Sequence, residues 1–196
     1  MSKYLVISSH TDDAELSCGA TISKLIQQNH TVTVITLSCV YEGVNLSLEW
    51  VKSMETLSVD SYHKFNFTTR LFHEEKNDIL QKLYEFNNQY NFIFAPSSKD
   101  VHSDHATVGQ CAERVFKNSN LITYTADWNT RNRQTNYFQR VEQSHVEQKI
   151  KALACYESQK HRAYMHPDYI WANALNTGVM CGTKYAESFN AINLIQ

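Results

Sequence analysis

The first two thirds of the chain alternate between short apolar runs and longer segments whose apolar side chains recur at helical spacing. The short runs predict strands at residues 4–8, 31–37, 62–67, 91–95 and 121–126. The longer segments predict helices at residues 14–28, 46–59, 77–90 and 105–117. Strands that alternate with helices of this length form right-handed βαβ units. The order predicts an α/β fold, with a Rossmann-like, mostly parallel sheet between helical layers.

The alternation ends at Trp128, and the remaining residues follow a different pattern. A polar segment comes first, then a predicted strand at residues 137–141, a predicted helix at 146–159 and an irregular aromatic tail. No Gly/Pro-rich linker or internal repeat divides the chain, and 196 residues suit one hydrophobic core. We therefore expect residues 1–196 to form a single domain, in which residues 128–196 are an elaboration that covers the functional site.

Composition narrows the classes of partner and the cellular location. The formal net charge is only -2, so no global basic field favours nucleic acid or an acidic membrane surface. No run approaches the roughly 18 apolar residues of a membrane span, and no secretory signal pattern is present. The 5 cysteines are scattered without a Cys-x-x-Cys pair, which favours a reducing compartment. We expect a cytoplasmic protein that recognises its partner locally.

Polar side chains follow two of the predicted strands at the point where each strand ends. His10, Asp12 and Asp13 come directly after the first strand, and a second group, His102 to His105, follows the fourth. In parallel sheets, ligands bind outside the carboxyl ends of the strands. The two groups are therefore expected to face each other across one edge of the sheet.

Two imidazoles and one carboxylate, with a fourth position open to water, form the ligand set expected of a catalytic zinc centre. His10, Asp13 and His105 fit that set. Asp12 would then lie beside the metal and remain free to act as a base toward a zinc-bound water that attacks a carbonyl.

The rest of the second group suggests supporting roles. His102 could stabilise an oxyanion or protonate a leaving group, and Asp104 could be the carboxylate partner of an imidazole. Each group also has a structural interpretation, in which an aspartate at the end of a loop merely caps the following helix. Taken singly, either group could be such a cap, whereas two groups at one sheet edge favour a metal site.

The same residues resemble the PIG-L/LmbE family of zinc-dependent deacetylases. His10–Gly19 is similar to the family's opening motif, AHPDDAELGCGG, and His102–His105 is similar to its second motif, HPDH. Weaker similarities follow in order, with Lys151–Gln159 resembling the family's Lys and Ser-Gln helix and Tyr185–Phe189 resembling its Ala-Glu-x-Phe element.

The resemblance implies a role for each matching position. His10, Asp13 and His105 would bind Zn²⁺, with another divalent metal such as Fe²⁺ left open. Asp12 would be the general base, and His102 would assist at the oxyanion or the leaving amine. The implied reaction is hydrolysis of an N-acyl group, most often acetyl, from an amino sugar or a sugar conjugate.

The chain departs from the family pattern at three positions. Thr11 and Ser103 replace the usual prolines, which removes no ligand. In the second helix, Glu49 matches the glutamate of the family's Arg-x-x-Glu pattern, but Leu46 stands where the arginine is expected. Because arginine suits bidentate binding of phosphate or carboxylate, this loss points to a substrate whose anionic group lies elsewhere or is missing.

Other side chains could reach a substrate or could be structural. Four aromatic residues could stack on a sugar or belong to the core: Trp128, Tyr164, Tyr169 and Trp171. Three arginines could reach an anion or belong to a solvated loop: Arg131, Arg133 and Arg140. His166–Asp168 looks like a further copy of the motif without a following ligand, and we interpret it as a turn, with a place in the lining of the substrate pocket as the alternative.

The sequence thus favours a zinc-dependent N-deacetylase acting on a small N-acylated molecule. Two alternatives stay open: an amidase of the same mechanism that acts on a non-sugar N-acyl or N-formyl amine, and a non-catalytic metal- or ligand-binding module. A dinucleotide-binding protein is disfavoured because the G-x-G-x-x-G pattern is missing. Association into a homo-oligomer is suggested only by analogy of fold.

Overall fold

The computed structural model describes residues 1–130 and 134–195. Its strands are β1 (Lys3–Ser8), β2 (Thr31–Thr36), β3 (Val40–Tyr41), β4 (Val44–Asn45), β5 (Ser61–Lys64), β6 (Phe92–Pro96), β7 (Asn120–Tyr124), β8 (Tyr137–Val141) and β9 (Tyr185–Asn193). Its α-helices are α1 (Asp13–Gln27), α2 (Ser47–Leu57), α3 (Lys76–Tyr84), α4 (Ser103–Val115), α5 (Gln143–Leu153) and α6 (Pro167–Met180). Two 3₁₀ turns lie at Glu157–Gln159 and Ala163–Met165.

Within the described ranges, one sheet of 7 strands has the order β5-β2-β1-β6-β7-β9-β8. The first five of these strands are parallel, and β9 runs antiparallel to β7 and β8. The predicted α/β class and mostly parallel sheet are confirmed. The C-terminal region extends this sheet by the antiparallel strands β8 and β9.

Helices cover both faces of the sheet because alternate side chains of each strand point to opposite sides. From β1, Leu5 and Ile7 enter a buried cluster that includes residues of α3 and α4. Tyr4 and Val6 enter the opposite cluster, which includes residues of α1, α2, α5 and α6. The central strands are therefore buried on both sides, which leaves their ends as the place for polar function.

The structure differs from the sequence prediction mainly in the loops and in the tail. A small hairpin, β3–β4, occupies the short connection before α2, and Gly43 makes its turn with a φ of +81°. His166–Asp168, interpreted above as a turn, begins α6 instead: the Nδ1 of His166 caps the helix by accepting the N–H of Asp168 at 3.3 Å. Pro167 takes the first helical turn, where its missing N–H costs nothing.

No helix in the described part of the chain has the length and apolar character needed to cross a bilayer.

Candidate metal centre

The candidate site lies at the carboxyl ends of two adjacent strands, β1 and β6. Beyond β1 the chain passes through His10 and Asp12 into α1, and beyond β6 it passes through residues 97–102 into α4. Because β1 and β6 are parallel neighbours, with Val6 paired to Phe94, their following loops meet at one edge. The convergence expected from the sequence is thus a consequence of strand order.

Two imidazoles converge on one carboxylate oxygen. Oδ2 of Asp13 lies 3.5 Å from Nδ1 of His10 and 3.2 Å from Nε2 of His105. A ligand atom from each of the three residues lies within 4.8 Å of the other two. Two ligands bound to zinc tetrahedrally at 2.0–2.1 Å would be about 3.3 Å apart. The spacing and the donor atoms therefore fit a divalent metal of the zinc type.

The second ring nitrogen of each imidazole meets a buried carboxylate. Nε2 of His10 lies 3.0 Å from Oδ2 of Asp104, and Nδ1 of His105 lies 3.0 Å from Oδ2 of Asp100. Asp104 is held in turn by the backbone N–H of Arg70 at 2.7 Å. When a carboxylate accepts the N–H of one ring nitrogen, the proton stays on that nitrogen. The other nitrogen then has its lone pair available for a metal. This arrangement suits metal ligation by Nδ1 of His10 and Nε2 of His105.

Asp100 is a site residue that sequence reasoning missed. Its Oδ1 accepts the backbone N–H of His102 at 2.9 Å while Oδ2 meets His105. The available signal was its position, two residues before His102 in a polar loop after a buried strand. Such a short-range Asx contact is common in loops and does not by itself mark a site.

The electrostatics of His10, Asp13 and His105 favour positive charge, because protons are held on the imidazoles next to an ionised carboxylate. Burial disfavours a charged His105, but Asp13 and Asp100 outweigh burial and raise the pKa of His105 to about 10. Burial likewise opposes ionisation of Asp13, yet His105 and His10 hold its pKa well below the usual range. A metal ion entering such a cluster displaces those protons.

Asp12 has the opposite electrostatic environment. Burial and then the neighbouring charge of Asp13 raise the pKa of Asp12 to about 6. Asp12 occupies the position before α1, but its side chain makes no capping hydrogen bond. Helix capping therefore does not account for this carboxylate, which lines the cavity beside the cluster.

His102 stands at the start of α4, where its Nδ1 accepts the backbone N–H of Asp104 at 3.2 Å. Its ring stacks on His105 with centroids 4.6 Å apart. Burial, followed by the nearby His105 and His10, lowers the pKa of His102, which favours the neutral ring. Since Nδ1 accepts a hydrogen bond, the proton of the neutral ring lies on Nε2. His102 is thus a donor at the cavity wall.

A cavity of about 220 Å³ opens over the cluster. Its lining includes side chains from the region after β7: Trp128, Asn129, Gln159, Arg162 and Tyr164. Of the aromatic residues considered above, Trp128 and Tyr164 line this cavity and stack on each other with centroids 4.0 Å apart. Tyr169 and Trp171 are not among the residues that line this cavity. The ring centre of Tyr169 lies 6.4 Å from that of Trp128, and the ring of Trp171 packs on Tyr185.

The three arginines considered above are not part of the described lining. Arg140 is exposed on β8. Arg131 and Arg133 lie outside the described residues.

Comparison with known proteins gives one family match. The family model described as PIG-L, GlcNAc-PI de-N-acetylase, matches residues 5–116, which contain both polar groups of the candidate site. Among curated protein sequences, none matches the chain significantly.

Solved structures with the same fold are found at low sequence identity. The conserved protein TT1542 from Thermus thermophilus is 19% identical, with a TM-score of 0.82, over 100% of this chain and 97% of its own. The N,N′-diacetylchitobiose deacetylase from Pyrococcus horikoshii is 21% identical, with a TM-score of 0.74, over 97% of this chain and 84% of its own. GalB, the 4-carboxy-2-hydroxymuconate hydratase from Pseudomonas putida KT2440, is 17% identical, with a TM-score of 0.79, over 100% of this chain and 98% of its own. The fold is therefore shared by proteins of different named activities, and the reaction must be argued from the site.

Proposed function

Since the chain belongs to the PIG-L family, described by its GlcNAc-PI de-N-acetylase activity, we propose that it is a metal-dependent hydrolase that removes an N-acetyl group from an amino sugar or a sugar conjugate. The observation that carries the proposal is the position of Asp13 Oδ2 between the ring nitrogens of His10 and His105. The carboxylate of Asp12, which makes no capping hydrogen bond, lies beside them on the cavity wall.

His10, Asp13 and His105 are the proposed metal ligands. Two neutral imidazoles and one carboxylate suit Zn²⁺, and the same set also serves Fe²⁺ in other proteins. When bound, the metal supplies a Lewis acid that polarises an amide carbonyl and acidifies water. Asp104 and Asp100 hold the two imidazoles from behind, so we assign Asp104 to positioning His10 and not to contact with substrate.

Asp12 is the proposed general base. The oxygen of a water molecule adds to the amide carbonyl carbon while its proton passes to the Asp12 carboxylate. The C–N bond then breaks as a proton is delivered to the nitrogen, giving acetate and a free amine. The carboxylate can take the proton from water and return it as the C–N bond breaks.

His102 is the proposed donor to the developing oxyanion. The proton on its Nε2 can donate to the carbonyl oxygen as negative charge grows there, and it can alternatively reach the leaving nitrogen. Donation to the oxyanion requires a proton on Nε2. The contact between Nδ1 and the N–H of Asp104 supplies this condition.

The region after β7 supplies the proposed wall for the sugar. Trp128 and Tyr164 present aromatic surface at the cavity, and Trp128 is 44% exposed. Aromatic rings offer flat apolar surface that suits the face of a sugar. We accordingly propose that residues 1–196 act as one domain, in which 128–196 covers the site. A cytoplasmic location and homo-oligomer formation stay predictions from the sequence.

Purified full-length protein, loaded separately with Zn²⁺ and Fe²⁺, tests the proposal. The substrates are N-acetylglucosamine, its phosphorylated and glycosidic conjugates, and a panel of non-sugar N-acetyl and N-formyl amines, with released acetate or formate as the readout. Acetate from sugars supports the proposal, and acid from non-sugar amines alone favours the alternative amidase. Absence of acid from every substrate in protein that holds one metal per chain would overturn both and favour a binding module.

A further inference from the structure

The wall of the cavity at the start of α2 is apolar. Leu46 directly precedes α2, is 5% exposed and lines the cavity above the candidate metal site. A leucine offers no hydrogen bond to a phosphate or carboxylate. Any anionic group of a substrate must therefore be met by a cation from another segment.

Arg162 is such a cation. It lies between the two 3₁₀ turns of the C-terminal region and lines the same cavity as Leu46 and Asp12. Its Cζ lies 4.5 Å from the ring centre of Tyr41, and Nη1 donates to the hydroxyl of Tyr164. Within residues 1–130 and 134–195, no carboxylate forms an ion pair with Arg162. A guanidinium held by neutral partners keeps its charge and several N–H donors for a ligand.

Arg70 also lines the cavity, but it has a carboxylate partner and its side chain is largely exposed. It pairs with Glu42 at 3.4 Å, and its side chain is 69% exposed. An exposed, paired arginine contributes little additional attraction for an anion because water and the glutamate already screen it. Of the two cavity arginines, Arg162 is the one that has no carboxylate within ion-pair distance among the described residues.

The segment that carries Arg162 is fixed to α2 by a specific contact. Glu49 accepts the backbone N–H of Ser158 at 3.0 Å and its hydroxyl at 2.6 Å. This glutamate is the one that matches the family's Arg-x-x-Glu pattern. The chain thus keeps the glutamate of that pattern as an anchor for the segment that presents Arg162.

We propose that Arg162 binds an anionic group of the substrate, and that the enzyme consequently selects N-acylated sugars that carry a phosphate or a carboxylate. The inference rests on the proposed function and specifies its substrate class. Arg162 matches such groups because the planar guanidinium can give two parallel N–H bonds to either. Tyr164 places the anion site next to the aromatic wall, since it bonds Arg162 and stacks on Trp128.

The activity test compares neutral and anionic substrates on the zinc-loaded full-length protein. The probes are N-acetylglucosamine, its 1-phosphate and 6-phosphate, and N-acetylmuramic acid, which carries a carboxylate. Arg162→Gln should raise KM for the preferred anionic substrate about 10- to 100-fold, the effect of losing hydrogen bonds to a charged group. For N-acetylglucosamine, which has no anionic group, KM should rise by a clearly smaller factor than for the preferred anionic substrate. Comparison of the phosphorylated and carboxylate-bearing probes then shows which anionic group Arg162 binds. It is the group whose substrate has a KM that rises in Arg162→Gln.

Two further variants separate recognition from a general effect of charge. Arg162→Lys keeps the charge but not the planar fork, and should give a KM between those of wild type and Arg162→Gln. Arg140→Gln removes an exposed arginine on β8, outside the cavity, and should leave every constant unchanged. If Arg162 acted only through the acidity of Asp12, Arg162→Gln would instead lower kcat for neutral and anionic substrates alike, which would contradict the inference.

A binding measurement makes the inference independent of turnover. Calorimetry on metal-free protein uses the amine products, namely glucosamine, its two phosphates and muramic acid. At least one anionic product should bind wild type about 10- to 100-fold more tightly than Arg162→Gln, while glucosamine binds both equally. If no substrate is deacetylated, the proposed function fails and this measurement still decides the role of Arg162. Equal binding of all anionic products to both proteins would overturn it.

Discussion

Asp100 and His105 are joined by a buried contact, with Oδ2 of Asp100 3.0 Å from Nδ1 of His105 and both side chains at most 5% exposed. The other nitrogen of the same ring faces Asp13. The imidazole is thus fixed on one side by a carboxylate that takes no place in the proposed ligand set. Through this contact Asp100, which is not among the residues that line the cavity, can hold His105 in the orientation that the proposed metal site needs.

We predict that Asp100→Ala weakens zinc binding about 10- to 100-fold, because His105 loses the partner that sets its tautomer and orientation. Competition with a chelating indicator measures the affinity. Asp100→Asn, which retains an acceptor oxygen, should lose less. Asp104→Ala is the matched variant for His10 and should have a comparable effect. Unchanged affinity in both alanine variants would contradict the positioning role of these carboxylates.

His105→Ala should abolish stable metal binding. Wild-type protein is expected to retain about one zinc per chain after dialysis, measured by elemental analysis, and the variant less than about a tenth. At zinc concentrations of 100 times Kd, the metal should stabilise wild type by about 2.7 kcal/mol, and this gain should vanish in the variant. His166→Ala is the control, since that histidine is exposed at the start of α6. Equal loss of zinc in both variants would show that His105 has no special role.

Asp12→Asn should separate metal binding from turnover. The amide keeps the size of the carboxylate but cannot accept the proton of water, so kcat should fall by about 10²- to 10⁴-fold. Zinc content should stay at the wild-type value because Asp12 is not a proposed ligand. Retained turnover would remove Asp12 from its role, whereas lost zinc would place it among the ligands.

The sequence was sufficient to predict the fold class and to bring His10, Asp13 and His105 to one sheet edge. That success has a physical basis, since strand ends are marked by an abrupt change from apolar to polar residues and parallel topology aligns those ends. Each of the two polar groups, His10 to Asp13 and His102 to His105, is contiguous in the sequence. Such local patterns can be recognised in a single sequence without structural information.

Asp100 and Arg162 could not be predicted in the same way. The role of Asp100 depends on a loop conformation that turns both its oxygens toward α4. Arg162 reaches the cavity through contacts with Tyr41 and Tyr164, and Tyr41 is 121 positions away in the chain's numbering. The region that carries Arg162 has weak helical periodicity, so neither its 3₁₀ turns nor α6 was evident. Tertiary contacts, and not local propensity, place these residues.

A buried ion pair behind the site gives a last prediction, about stability. Lys149 on α5 and Glu187 on β9 meet at 2.6 Å with both side chains 7% exposed. Glu187 also accepts the backbone N–H of Thr21 at 2.7 Å, and Lys149 donates to the carbonyl of Leu16 at 2.7 Å. The pair therefore ties α1 to the C-terminal region, and Gly19 leaves room for the lysine stem, which a Cβ there would meet at 2.8 Å.

Lys149→Met should lower the free energy of unfolding by about 3–5 kcal/mol, because it leaves the Glu187 carboxylate buried without a cation. The double variant Lys149→Met, Glu187→Gln should regain part of that loss, since no uncompensated charge remains. Lys160→Met is the matched control: its partner Glu157 is 70% exposed, and the loss should be at most about 1 kcal/mol. Urea unfolding followed by circular dichroism measures all three. If Lys149→Met cost no more than Lys160→Met, the ion pair would be incidental to the attachment of the C-terminal region to α1.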